Sequence, residues 1–262
     1  MSRQNYYKQR AARGRRAIDE DAVVAMVNQE RRQQPRLGVR KLYHLLASTF
    51  EEAGLEVGRD RLFEILRSRD LLVKPLPKSA RTTNSRHSLP VFRNLIKDRE
   101  TTGPNQVWVS DLTYIRTDEG YEYLSLITDK HSSKIVGFHC GDDLTTAGCL
   151  AALDQALASL PEGNTPIHHS DRGCQYCSHV YVDRLVTRGL SPSMTEENHC
   201  AENAKAERLN GILKQEYGLG REFRSRKQTR AAVIQAVWLY NNRRPHTAHK
   251  LRTPSEVHSR AA

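Results

Sequence analysis

The chain lacks any long apolar run. No stretch approaches the roughly 18 to 20 apolar residues that a bilayer-crossing helix needs. Met1 to Arg16 (MSRQNYYKQRAARGRR) is basic and polar, without the apolar centre of a secretory signal. Cysteine is sparse as well: Cys140, Cys149, Cys174, Cys177 and Cys200 are the five among 262 residues, an odd number and too few for a disulfide scaffold. The expectation is a soluble cytoplasmic protein with free thiols and no membrane partner. Apolar residues in general are not scarce, and a hydrophobic content of 38% excludes disorder and a collagen-like chain. At about 100 to 200 residues per domain, the length suits one medium domain and a smaller one.

Charge is in surplus, with 41 Lys and Arg against 30 Asp and Glu for a net +11, and it is unevenly spread. Residues 1–100 carry +10, residues 101–220 carry −7 and residues 221–262 carry +8. Two basic flanks around an acidic middle fit ends that hold a polyanion, and a carboxylate-rich centre that can work with divalent cations.

Along the chain, residues 1–18 read as a basic tail without periodicity. Asp19 to Gln34 reads as a helix with acids at its start and Val23, Val24, Met26 and Val27 inside it, stopped by Pro35. Val39, Leu42, Tyr43, Leu46 and Phe50 form the stripe of a second helix, and Leu62, Ile65 and Leu66 that of a third over Arg59 to Arg69. Residues 19–73 thus suggest a small all-α helix-turn-helix domain. Its cations, Arg40, Lys41, Arg59 and Arg61 among them, are candidate DNA contacts, with a solvated basic face as the alternative. Residues 74–101 open with a Pro-, Ser-, Thr- and Lys-rich stretch and read as a basic linker.

Beyond Pro104 the period changes. Gln106 to Arg116, Tyr121 to Asp129 and Lys134 to Cys140 are β-branched and aromatic runs, followed by a helix over Thr145 to Leu160 and a short strand over Thr165 to His169. A helix over Ser178 to Arg188, a strand over Leu190 to Met194, and helices over Asn203 to Tyr217 and Arg224 to Asn242 complete the order. This is an α/β pattern: a mixed sheet covered by helices, over 102–220, with 221–262 as a basic helical extension.

Asp111 falls in the middle of the first strand, where burial disfavours a carboxylate without a partner. Asp171 follows the strand Ile167-His168-His169 directly. Glu207 shares a helix face with Asn203, Asn210 and Lys214. If the short strand pairs beside the first, the three acids converge, and acids so close need a cation to stay ionised near neutral pH. Oxygen donors suit Mg²⁺ or Mn²⁺ rather than zinc. Two such ions about 3.5 to 4 Å apart suit in-line displacement at phosphorus, the chemistry of nucleases and strand transfer.

Five segments then carry a resemblance: Asp111-Leu-Thr-Tyr-Ile115; His168-His-Ser-Asp-Arg-Gly173 with Gln175-Tyr176; Ser193-Met194; Asn203-Ala204 with Glu207; and Tyr240-Asn-Asn-Arg-Arg-Pro-His246 with Thr253-Pro254. In this order they resemble the OrfB product of the IS-three family of bacterial insertion sequences, transposases of the retroviral-integrase superfamily. Thirty-five residues separate Asp171 from Glu207, the spacing of that family's acidic triad.

The resemblance implies an RNase H-like fold (an integrase catalytic core) and a bacterial, nucleoid-associated setting. It implies Asp111, Asp171 and Glu207 as catalytic residues and as ligands of two Mg²⁺ or Mn²⁺ ions. The activity implied is DNA strand cleavage at terminal inverted repeats, followed by attack of the freed 3′-hydroxyl on target DNA. The implied partners are DNA, other copies of the chain in a homo-oligomer, and an upstream-frame (OrfA) product, separate or fused. A DNA-binding protein that keeps the scaffold for targeting or repression but is catalytically silent is the competing reading. Members usually carry Asp where this chain has Glu202 and Gly where it has Asn198, so Glu196, Glu197 and Glu202 rival Glu207, which spacing and helix face select.

Further candidate DNA contacts are Arg172, beside Gly173; Asn203, Asn210 and Lys214 on the Glu207 face; and the knot Arg243, Arg244 and His246, which can face DNA or the acidic centre. Cys174-x-x-Cys177 has no second ligand pair at zinc spacing and reads as packing or incidental thiols. Thr253-Pro254-Ser255-Glu256 has the form of a capping box.

Overall fold

A computed structural model describes residues 3–74, 89–97, 99–196 and 203–259. The chain divides into two compact units, 1–77 and 78–262.

In the first unit, α1 (Arg3–Gln33), α2 (Val39–Glu52) and α3 (Arg59–Ser68) enclose a core of Val23, Val27, Leu37, Leu42, Leu46, Phe50, Leu62, Ile65 and Leu66. These are the stripes expected from the sequence. Gly54, at a φ of +67°, turns the chain out of α2, a backbone setting that suits a residue without Cβ. The expectation of an aperiodic tail over 1–18 is corrected, because α1 already starts at Arg3. Apolar period reports a buried face, whereas helix propensity does not need one, and this stretch is rich in Arg, Gln, Lys and Ala.

The second unit is built on a five-stranded sheet of order β3-β2-β1-β4-β5. Strands β1 (Val107–Thr117), β2 (Gly120–Asp129) and β3 (Ile135–Gly141) are antiparallel neighbours; β4 (Ile167–Ser170) runs parallel to β1, and β5 (Ser191–Met194) parallel to β4. One apolar cluster gathers Trp108 and Ile127 with residues of α4 (Thr146–Ala158), α5 (Cys174–Cys177) and α6 (His179–Thr187). A second gathers Ile115, Leu124 and Leu126 with residues of α7 (Ala204–Glu216) and α8 (Arg226–Asn242). Thr145, Ser178 and Ser225 cap α4, α6 and α8 with their side chains. At Gly137 of β3 a Cβ would lie 2.1 Å from the Ala152 carbonyl oxygen of α4, so only glycine permits this approach.

The boundary expected at 220/221 is also corrected. Val233, Ala236, Val237 and Tyr240 of α8 share one core with β1 and β2, and Phe223 N–H donates to Arg116 O at 3.0 Å. Charge changes sign there at the surface while the apolar interior continues across it. The expected linker 74–101 lies partly outside the described residues, at 75–88 and 98, and partly on the sheet. Leu95 N–H donates to Ser193 Oγ at 2.9 Å, and Ile96 is buried with Val107, Val109 and Ile167. The capping box forms at α9 (Pro254–Ser259): Thr253 N–H donates to Glu256 Oε2 at 2.7 Å and Glu256 N–H to Thr253 Oγ1 at 3.3 Å. Among the described residues no helix is long and apolar enough to cross a membrane.

Candidate active site

The parallel pairing of β1 with β4 sets Val109 opposite His169. Asp111 and Asp171 each lie two residues further along, and a period of two returns both to the face and level of that pair. From the other direction α7 is pinned to β1 by two amides. Asn203 Nδ2 donates to Ser110 O at 3.0 Å, and Asn210 Nδ2 donates to Asp111 Oδ2 at 2.7 Å. Glu207 lies between those two positions on the same helical face and is exposed.

The electrostatics mark Asp111 out. Burial, then the charge of Asp171 and more weakly that of Glu207, push its carboxyl up to about 7, against the opposing hydrogen bonds from Asn210 and the Leu112 N–H. Asp171 accepts from Gly173 N–H at 3.0 Å, while Arg172 Nε donates to Thr195 O at 2.7 Å. Beneath them His168 Nε2 is 2.7 Å from Ser110 Oγ and 2.9 Å from Tyr181 OH; burial lowers this imidazole to about 3 and keeps it neutral. His169 Nδ1 pairs with Ser193 Oγ at 2.9 Å inside the sheet. Among the described residues no group of three or more His, Cys, Asp and Glu side chains is set to hold a metal ion as it stands. Asp111 and Asp171 are coupled by charge; Glu207 is the looser member.

Lys214 extends the site along α7. Its ammonium lies 4.9 Å from the centre of the Tyr114 ring, which meets Tyr121 edge-on at 5.4 Å. Burial lowers the Lys214 pKa, and the charge of Asp111 partly offsets this. Sequence reading missed Tyr114 as a partner, because strand alternation marks an aromatic position but not the cation that will lie over it.

Four expected DNA contacts, Asn203, Asn210, Arg244 and His246, are corrected to interior positions, and a fifth, Arg172, turns partly inward. Asn203 and Asn210 are buried and spend their amide donors on β1. Arg244 is buried too and forms a two-pronged pair with Glu216 at 2.7 Å for each bond, with His246 Nε2 at 3.0 Å. The knot therefore faces the acidic centre at Arg244 and His246, while Arg243 is exposed. The partner of Arg244 lies 28 residues away in the chain, out of reach of local charge reading. Arg172 is half-buried, its Nε committed to Thr195.

In the helical unit Arg40 is exposed and Lys41 half-buried, while Arg59 pairs with Asp60 at 2.8 Å and Arg61 with Glu20. Of the rival acids, Glu196 accepts from Asn94 N–H at 2.9 Å, and Glu197 and Glu202 lie outside the described residues.

Comparison with known proteins bears on the family and the fold of the chain. Two integrase core domain models match, over residues 101–200 and 188–254. The 31 kDa protein of insertion element IS600 from Shigella sonnei is 36% identical over 93% of this chain and 89% of its own length. The transposase of insertion sequence IS629 from the same organism is 33% identical over 79% of this chain and 68% of its own. Transposase InsF of IS3A from Escherichia coli K12 is 36% identical over 70% of this chain, which spans 64% of InsF.

Among solved structures, the intasome of simian T-cell lymphotropic virus in complex with a PP2A regulatory subunit matches with a TM-score of 0.52 at 19% identity, over 85% of this chain and 70% of that one. The magnesium complex of the HTLV-2 integrase core matches with a TM-score of 0.49, over 61% of this chain and 99% of that one. The integrase core models and the match at a TM-score of 0.52 identify the mixed sheet with helices on both faces as the RNase H-like fold of an integrase core. With 36% identity over 93% of its length to an insertion-element protein on top of that fold, the chain belongs to the IS3 family of DDE transposases.

Proposed function

We propose that this chain is the catalytic subunit of a transposase, cutting DNA at the ends of its element and joining the freed 3′-hydroxyl to target DNA, with Asp111, Asp171 and Glu207 as its catalytic acids. One observation carries the reading. A carboxyl in the centre of the sheet, one strand from a second acid and gripped by the helix that bears a third, is pushed up to about 7 by burial and by that second acid. Such a pair stays ionised at neutral pH once a cation joins it.

The donor set is all oxygen, which fits Mg²⁺ or Mn²⁺, with Asp111, Asp171 and Glu207 as the residues that would hold two ions. Bound there, the ions supply charge neutralisation at the phosphate and at the attacking and leaving oxygens. The chain supplies the placement. Asn210 fixes one Asp111 oxygen, the Gly173 N–H fixes Asp171, and the Asn203 bond to β1 keeps the Glu207 turn of α7 against the strand. Lys214, steadied over Tyr114, offers an ammonium to a phosphate near Asp111; Arg243 in the same unit, and Arg40, Lys41, Arg59 and Arg61 in the helical unit, are further cations for the DNA backbone. One chain carries one such acid set, so joining two element ends calls for at least two copies on DNA, with or without an upstream-frame partner.

The test is incubation of the full chain with end-labelled duplexes carrying candidate element ends and Mg²⁺. Nicking and joining are expected, and Asp111→Asn, Asp171→Asn and Glu207→Gln should each reduce them on the order of a thousandfold. Activity kept by all three variants overturns the assignment. The silent DNA-binding alternative draws on the looseness of Glu207, and it calls for tight, salt-sensitive binding with no cleavage under any divalent ion.

A further inference from the structure

The sequence sets a Cys-x-x-Cys pair three residues beyond Asp171, and the structure gives its two members opposite surroundings. Cys174 opens α5 and is exposed, while Cys177 closes the same turn, fully buried, with its Sγ 3.6 Å from Met194 Sδ. Packing accounts for Cys177 but not for Cys174. We propose that Cys174 and Cys177 form a reversible disulfide under a hydroperoxide, and that closing it displaces Asp171 and switches off strand cleavage. The switch, though not the disulfide, rests on the catalytic role given to Asp171.

Two side chains three apart in one helical turn share a face, with Cβ atoms about 5 to 6 Å apart. A disulfide needs about 3.5 to 4.5 Å, so the turn must tighten by about 1 to 2 Å. Cys177 is the fixed end: it sits against Met194, which pairs with Ser170, the residue before Asp171. Cys174 is the end that moves, and Gly173 is bonded directly to it.

Gly173 has two tasks. Its carbonyl accepts the Tyr176 and Cys177 N–H groups at 3.0 and 3.2 Å, and its own N–H holds Asp171 Oδ1 at 3.0 Å. There is little slack at this residue. A Cβ placed on it would meet Asp171 Oδ1 at 3.1 Å and Gln175 Oε1 at 3.3 Å. Tightening the turn therefore pulls on the hydrogen bond that positions Asp171.

The chemistry balances with a hydroperoxide as oxidant. The exposed Cys174 sulfur attacks the peroxide O–O bond, giving a sulfenic acid and releasing an alcohol, or water from hydrogen peroxide itself. The Cys177 sulfur then displaces the sulfenic hydroxyl, which leaves as water with the thiol proton. The two thiols lose two electrons between them, and the peroxide bond gains them. A dithiol reverses the step by exchange.

The test treats the full chain with hydrogen peroxide, alkylates the remaining thiols and digests with trypsin. The segment 173–184 holds both cysteines, so the disulfide appears there as the loss of two hydrogens and of both alkyl labels. Nicking of an element-end duplex should fall at least about tenfold, since a misplacement of about 1 Å costs on the order of a hundredfold, and dithiothreitol should restore it. Cys174→Ser should keep its activity through the same treatment. Segment 173–184 still taking both labels, or carrying irreversible oxidation instead, overturns the disulfide. A disulfide that leaves nicking unchanged, or equal loss in Cys174→Ser, overturns the switch. If the reduced protein does not nick DNA, the strand-cleavage reading and the switch both fall, while the peptide mass still decides the bond.

Discussion

Asp111, half-buried in the middle of β1, and Asp129, buried at the end of β2 where the chain turns to β3, are carboxylates on paired strands of one sheet, and their surroundings are opposite. Asp129 accepts from Asn105 N–H at 2.7 Å, Ser132 N–H at 2.7 Å and Ser132 Oγ at 2.6 Å, with His258 Nδ1 3.8 Å away. Burial alone would raise its pKa, yet His258, Ser132 and Asn105 outweigh burial and hold it below the ordinary value. At Asp111 burial and a neighbouring acid win over two uncharged donors, and the carboxyl rises to about 7. A buried acid surrounded by donors is a structural tie. One left short of donors beside another acid is where the proposed function puts a cation and a phosphate.

The largest effect that separates the two regions is on catalysis. Asp111→Asn should lose strand cleavage on the order of a thousandfold with the cooperative melt intact. In Asp129→Ala the activity per folded molecule should stay within a few-fold of the parent; an Asp129→Ala protein as inactive as Asp111→Asn would dissolve the distinction. Stability should show the reverse. Asp129→Ala leaves the donors of Ser132, Asn105 and His258 without their acceptor and should cost about 3 to 5 kcal/mol in denaturant unfolding, and a loss below 1 kcal/mol would mean that the turn does not depend on this acid.

The two sites also differ in the sign of their pH dependence. Asp111 is raised when folded, so the folded state binds the extra proton and, without divalent ions, stability should fall as pH rises from about 4 to about 7. Asp129 is lowered, so its contribution is complete above the ordinary carboxylate range and is lost as pH falls through and below that range. Melting curves of the parent and of Asp111→Asn should diverge over the upper window, by roughly 3 to 6 °C at pH 8, and excess Mg²⁺ should close the gap. Parallel curves would contradict the strained state of Asp111. The smallest effect concerns Asn210. Asn210→Ala frees Asp111 Oδ2 and removes a buried Oδ1 that has no partner in the structure, so cleavage should fall about tenfold while stability changes by less than about 1 kcal/mol. A large stability loss with unchanged cleavage would make Asn210 a purely structural residue.

The helices and strands of both units were legible because each buries a periodic face: Leu42, Leu46 and Phe50 in α2, or Ile115 and Leu124 across β1 and β2. The acids stood out because a carboxylate in mid-strand, a second after a short strand and a third on a helix face have a local cost or a local pattern. The true extents of α1 and of the sheet unit were hidden, since α1 begins in a segment without an apolar stripe and the surface charge at 221 changes sign over a continuous core.

From residue order alone came the element types, the family motifs and the nomination of Asp111, Asp171 and Glu207 as candidate acids, because propensity, periodicity and motif spacing act over a few residues at a time. Only the fold decided which polar groups face each other: that Asn203 and Asn210 serve β1, that Arg244 answers Glu216, and that Asp129 is satisfied where Asp111 is not. Those pairings join residues up to about a hundred positions apart, and both hydrogen bonding and desolvation depend on distance in space, which a sequence does not carry.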